Sequence, residues 1–358
     1  MYADSAAGDM PSRRRWRGSP QAVTAAFRAP PATTMIADMD LNDLVLRGLA
    51  NGDWPLPVEL PFTYAQARDA GITRNALRVL IDRGRLRRPI QGVYVAAHLP
   101  DTLPLRAACL GLVAPPDCVV VDRHAGWVAG AEMALAPGEH LQTFPISLFR
   151  PSGRGRLRNG ISRSGERWPR DSDVLEVGGL RFTRPVRTAW DLGRVRWTDE
   201  AISGMDAVAR LPGFDLDEFR NGIEQFRGHR WISTLRAVAP LVDGRCESPP
   251  ESVLKLRCHE AGLPMTPQLE VRVGYRLMRL DLGNADLRGG AEYDGVEWHD
   301  SPDQRAHDHA RRDELAEDGW LIEVFTKDDL WGSHGGADVR LQAFRRLLFA
   351  RRHAQLAG

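Results

Sequence analysis

Between Glu247 and Leu330 the apolar residues change period in a fixed order, helix, three strands, helix, strand, and that order constrains the fold more than any other feature of the chain. Ser248 can cap a helix whose first turn holds Pro249 and Pro250, with Glu251 three residues after the cap, and Gly262 ends that helix after about Ala261. Leu269 to Val273, Leu277 to Leu282 and Ala291 to Asp294 read as strands. Ser301 opens a polar helix to about Asp318, and Trp320 to Thr326 closes the unit as a buried strand. An α-β-β-β-α-β unit is expected.

Acidic residues gather at the strand ends of this unit, Asp281 in RLDLG and Glu292 with Asp294 in AEYDG. Glu292 and Asp294 are two apart on one strand and share a face, with Tyr293 on the other. The short connection from Gly283 to Gly290 lets the neighbouring strand bring Asp281 beside them. Carboxylates held this close repel unless a cation neutralises them, and hard oxygen ligands suit Mg²⁺. Plain alternatives stand beside this reading. Glu251 also fits a capping box with Ser248, and Asp294 also fits a turn with Gly295. His299 also fits an ordinary place at the helix entrance. Arg311 and Arg312 could meet a phosphate, or Arg312 could pair with Asp308 one turn earlier. Asp281 and Glu292 have no comparable bland role, because acidic residues are depleted inside apolar strands. Gly289 and Gly290, just before the acidic strand, imply a close approach by some neighbour.

The set E-S-P-x-E-S (247–252), R-L-D-L (279–282), A-E-Y-D-G (291–295), His299, Asp308, Arg311 and G-W-x-x-x-x-x-T-x-x-D-L (319–330) resembles the very-short-patch-repair-like branch of the PD-(D/E)XK nuclease superfamily. The resemblance implies a restriction-endonuclease-like domain in which Asp281, Glu292 and the Tyr293 carbonyl hold Mg²⁺ or Mn²⁺. Glu251 would assist from the first helix. The superfamily often carries lysine where this chain has Asp294, and an aspartate cannot supply positive charge. His299 is therefore the candidate to activate water or contact the phosphate, completing a catalytic set of Asp281, Glu292, Asp294, His299 and Glu251.

Upstream, Phe62 to Val95 reads as a short helix ending at Gly71, a second helix capped by Thr73, and a hairpin through the Gly92 turn. Seven arginines against Asp69 and Asp82 give residues 64–95 a charge of +5. A winged helix-turn-helix whose Arg74, Arg78, Arg83, Arg85, Arg87 and Arg88 contact DNA fits this pattern, and a solvated interaction module is the bland alternative. Through A-x-x-x-G-I-T and G-R-L-x-R-x-x-x-G-V-Y, the segment resembles the N-terminal winged helix of AbiEi-type antitoxins, which implies DNA as a partner and leaves room for a toxin.

Between these units the residues are less informative. Leu105 to Val113 reads as a buried helix, Val119 to Val121 and Gly179 to Thr183 as strands, and Arg187 to Leu192 as a helix. The arginine-rich tract 150–170 reads as a solvated connection or a phosphate-contacting loop. GLRFTRPVRTAWDL (179–192) resembles a segment of proteins with the same plan and implies kinship rather than a reaction. With 358 residues, several domains are expected. They divide as a disordered or mis-assigned 1–34, a winged helix at 35–100, a mixed α/β region at 101–244, and the nuclease-like domain with a C-terminal helix at 245–358. Translation from Met35 or Met39 would remove the first segment, and N-terminal sequencing of native protein tests that.

The longest stretch without Asp, Glu, Lys or Arg is the 12 residues Pro89 to Pro100, too short for a membrane span. Four scattered cysteines suggest neither a disulfide framework nor a zinc site, so the cytoplasm is expected. A homodimer stays open. The sequence thus points to a metal-dependent DNA endonuclease guided by a winged helix. Its alternative is an antitoxin-like transcriptional regulator with an inactive nuclease fold.

Overall fold

A computed structural model describes residues 54–131, 145–151, 153–155, 157, 160–166, 169–295, 302–332 and 336–357. The readings made for residues 1–34, for Met35 and Met39, and for His299 lie outside these described residues.

The first unit is built from β1 (Phe62–Thr63), α1 (Tyr64–Asp69), α2 (Arg74–Asp82), β2 (Leu86–Ile90) and β3 (Val93–Ala96). Both helices are capped by threonine. Thr63 forms a capping box with Gln66, and the Thr73 hydroxyl accepts the Ala76 N–H at 3.1 Å. Gly92 turns the hairpin with φ +83°, a conformation that favours glycine. The strands form a sheet in the order β1-β3-β2. Ala76, Leu77 and Leu80 of α2 pack with Phe62, Ala67, Ile72 and Leu86 to form the core. Ile90, Val93 and Val95 turn away from that core and bury against Cys109, Val120, Trp127 and Phe182 of the next unit.

That next unit contains α3 (Leu103–Gly111), β4 (Val119–Val120), α4 (Asp122–Ala129), β5 (Ile146–Arg150), β6 (Ser162–Glu166), β7 (Val174–Val177) and β8 (Leu180–Thr183). Its five strands are ordered β6-β5-β4-β8-β7. The arginine-rich tract is therefore not all connection. Arg150 ends one strand and bonds Asp117 at 2.9 Å, and residues 162–166 pair in parallel with β5. Alternation was hidden there because polar residues and glycine fill the strand.

A helical layer follows: α5 (Pro185–Gly193), α6 (Thr198–Ala209), α7 (Leu216–Asn221) and α8 (Ile232–Val238). Trp190, Ile202, Met205, Phe219 and Leu235 fill its core. The Trp190 indole N–H donates to the Phe219 carbonyl at 2.8 Å, so the ring is buried without an orphaned donor.

The last unit follows the expected order: α9 (Pro249–Glu260), β9 (Thr266–Val273), β10 (Arg276–Asn284), β11 (Gly289–Tyr293), α10 (Pro302–Glu317) and β12 (Leu321–Phe325), then α11 (Lys327–Trp331) and α12 (Ala337–Ala357). Its sheet runs β12-β11-β10-β9, antiparallel except for the parallel β11 and β12 pair. Helix α9 is fixed to α6 by a buried ion pair of 2.5 Å between Lys255 and Asp206, and by Arg257 on Asp199 at 2.7 Å. Among the described residues no helix is long and apolar enough to cross a membrane. The four cysteines are buried and free. Burial pushes the thiols of Cys109, Cys246 and Cys258 up to about 12, so they stay protonated and unreactive at neutral pH.

Candidate functional site

Asp281 and Glu292 come together because β10 and β11 pair with Leu282 opposite Ala291, which brings the next residue on each strand alongside the other. The ladder stops at that pair. One carboxylate oxygen of Asp281 instead accepts the Tyr293 backbone N–H at 2.9 Å. Burial pushes the Asp281 carboxyl up to about 6. The charges of Glu251 and Glu292 push it the same way, while that backbone bond and Arg311 oppose the rise. The carboxylate charges that act on Asp281 are those of Glu251 and Glu292; Asp294, which the spacing groups with them, is not among them.

Each is also held by a partner. Glu292 is buried, with Arg311 from α10 on one oxygen at 2.6 Å and Arg312 at 3.5 Å from the other. The expected Arg312 partner, Asp308, lies outside the described side chains, and the guanidinium faces Glu292. Ser248 caps α9 by accepting the Glu251 N–H at 3.3 Å, but the reciprocal bond from the Ser248 N–H to the Glu251 carboxylate, which would complete a capping box, is replaced by two others. One Glu251 oxygen accepts the Ser248 hydroxyl at 2.7 Å and the other accepts the Glu247 N–H at 2.8 Å. Asp294 is half-buried, and its N–H donates to the Phe325 carbonyl at 2.8 Å, prolonging the β11 and β12 ladder.

Gln268 was not foreseen. Its amide nitrogen donates to Glu251 at 2.8 Å, its carbonyl oxygen is buried without a hydrogen-bond partner, and its backbone is left-handed with φ +52°. A non-glycine residue in that region carries strain that the surroundings must hold in place. One polar amide within TPQLEV was the only trace in the sequence.

Among the described residues no group of three or more His, Cys, Asp or Glu side chains is arranged to hold a metal ion. Arg311 and Arg312 neutralise Glu292, and Glu251 accepts hydrogen bonds from Ser248, the Glu247 N–H and Gln268. The donor chemistry nevertheless fits a hard cation. Asp281, Glu292, the Tyr293 carbonyl and the unpartnered Gln268 oxygen are all oxygen ligands of the kind Mg²⁺ or Mn²⁺ takes.

A second candidate surface lies on the first unit. Arg74, Asn75 and Arg78 are exposed on α2, opposite the buried Ala76, Leu77 and Leu80. Arg74 lies over the Tyr64 ring at 4.7 Å, and Arg78 donates to Asn75 at 2.7 Å. Arg83 is exposed beyond the helix end. Arg85, Arg87 and Arg88 are half-buried along the hairpin. Arg87 donates to the Leu99 carbonyl at 3.0 Å, and Arg88 lies over Tyr94 at 5.8 Å. The helix arginines are thus presented outward, while two of the hairpin arginines also brace the wing.

Residues 61–97, spanning this first unit, match the family model described as a transcriptional regulator, AbiEi antitoxin. Over a longer span, "Uncharacterized protein MT2308" of Mycobacterium tuberculosis (strain CDC 1551 / Oshkosh) is 32% identical over 276 residues, 75% of this chain and 96% of its own length. "Uncharacterized protein Rv2248" of strain ATCC 25618 / H37Rv matches to the same extent, 32% over 276 residues, with 75% and 96% of the two chains covered. Carrying an AbiEi-type regulator segment at 61–97, the chain belongs to the family of these two mycobacterial proteins.

Proposed function

We propose that the chain binds duplex DNA through its winged helix and hydrolyses phosphodiester bonds at the carboxylate site of its last unit, with Mg²⁺ or Mn²⁺. The observation that carries the proposal is Asp281, brought alongside Glu292 by the pairing of β10 with β11 and raised to about 6 by burial, with the charges of Glu292 and of Glu251 in the first turn of α9 adding to the rise. A half-buried carboxyl among carboxylates is a functional-site signature. DNA binding is supported by the regulator match at 61–97 and by the outward Arg74, Asn75 and Arg78, side-chain types that read guanine and adenine edges in the major groove.

In this reading Asp281 and Glu292 would hold the cation, with the Tyr293 carbonyl as a further ligand. A divalent cation, when bound, supplies Lewis acidity toward water and the scissile phosphate. Glu251 fixes the start of α9 and orients Gln268 toward the site. If Glu292 held the cation, its ion pairs with Arg311 and Arg312 would weaken and leave both guanidinium groups available to a phosphate. His299, five residues after Asp294, is the candidate to take the proton from water. Asp294 supplies no positive charge, so the arginines of α10 take the place of the superfamily lysine.

The second reading is a regulator that binds DNA without cutting. It is favoured by the 2.6 Å contact of Arg311 with Glu292, which neutralises that carboxylate with no cation. A calorimetric Mn²⁺ titration separates the two. One saturable site that disappears in both Asp281→Ala and Glu292→Ala supports the hydrolytic reading. Absence of saturable binding in the wild type supports the regulator.

A further inference from the structure

The segment GLRFTRPVRTAWDL takes no part in either site, yet it builds a densely charged interior. Arg187 and Asp191 lie one turn apart on α5, and Arg194 follows the helix end. Arg187 donates to Asp191 at 2.9 Å and to Asp173 at 3.0 Å. Arg194 donates to Asp191 and to the Trp190 carbonyl, the latter at 3.2 Å. All four charged side chains are at most 10% exposed. Such a network gains little over well-packed apolar residues, because desolvation offsets its Coulomb attraction. Its presence needs another reason.

A cavity offers one. Arg170, Asp173, Arg187, Arg194, Phe226 and His229 line a space of about 310 Å³ between α5, the turn before β7 and the turn after α7. That volume is near the lower end for small-ligand pockets, roughly 300 Å³. Arg170 is exposed and marks the solvent side. The Arg194 and Arg187 guanidinium groups lie 4.1 and 5.6 Å from the centre of the Phe226 ring, which fixes their planes. Arg194 lies 3.3 Å from His229 Nδ1. A guanidinium can only donate, so Nδ1 accepts and the ring hydrogen sits on Nε2 as one more donor. The cavity lining holds Arg170, Arg187 and Arg194 against Asp173, and Asp191, which pairs with Arg187 and Arg194 without lining it, makes three positive charges against two negative.

We propose that this cavity binds a phosphate monoester. The Arg170 guanidinium, the His229 Nε2–H and the second hydrogens of the two Arg187 Nη atoms offer more donors than the two oxygens of a carboxylate can use, and suit the three oxygens of a terminal phosphate. The source could be a free nucleotide or the 5′-phosphate end of a DNA strand, which share this chemistry. The inference is independent of any hydrolytic activity in the last unit.

The test is calorimetry on the full chain at constant ionic strength with inorganic phosphate, AMP and acetate. Alongside it, the affinities of one oligonucleotide with a 5′-phosphate and with a 5′-hydroxyl are compared. AMP or phosphate should saturate one site that acetate does not fill, with affinity falling about tenfold in Arg170→Ala and in His229→Ala. Both variants spare Arg187, Asp173 and Asp191, and unchanged melting temperatures will confirm an intact fold. A 5′-phosphate preference that vanishes in the variants identifies a DNA end as the source, and AMP binding without that preference identifies a free nucleotide. If no phosphate probe saturates the folded wild type, or if both variants bind undiminished, the proposal is wrong.

Discussion

Asp281 is where folding and chemistry pull against each other. Its folded pKa of about 6 stands above the ordinary 3.8. A raised carboxyl adds stability that is present in full below 3.8 and is lost as pH rises through about 6. Without divalent ions, Asp281→Asn should therefore melt higher than the wild type at pH 7.5, with the gap closing by pH 5. A lower melting temperature at pH 7.5 would contradict the assignment. If Asp281 holds a cation as proposed, Mn²⁺ affinity should climb as pH rises toward 6 and level off above it, read by calorimetry in a non-coordinating buffer. Lys255 is the opposite case, a buried cation with a structural task. Removing its ammonium in Lys255→Met strands Asp206, and chemical denaturation should register a loss of about 3–5 kcal/mol.

At the scale of elements, the caps and glycines explain why so much of the architecture was legible. Ser248, Thr73, Gly71, Gly92 and Gly262 mark boundaries through backbone chemistry that depends on one or two residues, and those boundaries stand where expected. Thr73→Ala should cost about 1 kcal/mol in a denaturation experiment, through loss of the cap on α2. The flagged glycines also have their neighbours. A Cβ on Gly289 would come within 2.5 Å of Leu348, and one on Gly290 within 2.7 Å of Ile322. Gly290→Val should therefore destabilise by about 1–3 kcal/mol. Helices α6 to α8 and strands β5 to β7 were not legible. Their apolar residues face several partners, and the strands are short and polar, so periodicity fades. Within the carboxylate site, the meeting of Asp281 with Glu292 was readable from strand order. The arginine clamp on Glu292 and the strained Gln268 were not, because both depend on the distance between elements remote in sequence.

At the scale of the molecule, near-neutrality conceals an uneven distribution of charge. The net charge of +1 holds +5 over residues 64–95 and, with 11 basic and 19 acidic residues, −8 over 245–331. A basic winged helix attracts the polyanion, and an acidic unit needs a cation or arginines before a phosphate can approach it. Arg74→Ala and Arg78→Ala should each weaken DNA binding by about 1–3 kcal/mol in a fluorescence assay if they read base edges. The central claim is that one chain both holds DNA and cuts it. Supercoiled plasmid incubated with pure protein and Mg²⁺ or Mn²⁺ tests this most directly. The account predicts relaxed and linear products from the wild type and none from Asp281→Ala. Equal cleavage by both proteins, or an intact plasmid bound by a wild type that never cuts it, would contradict the account.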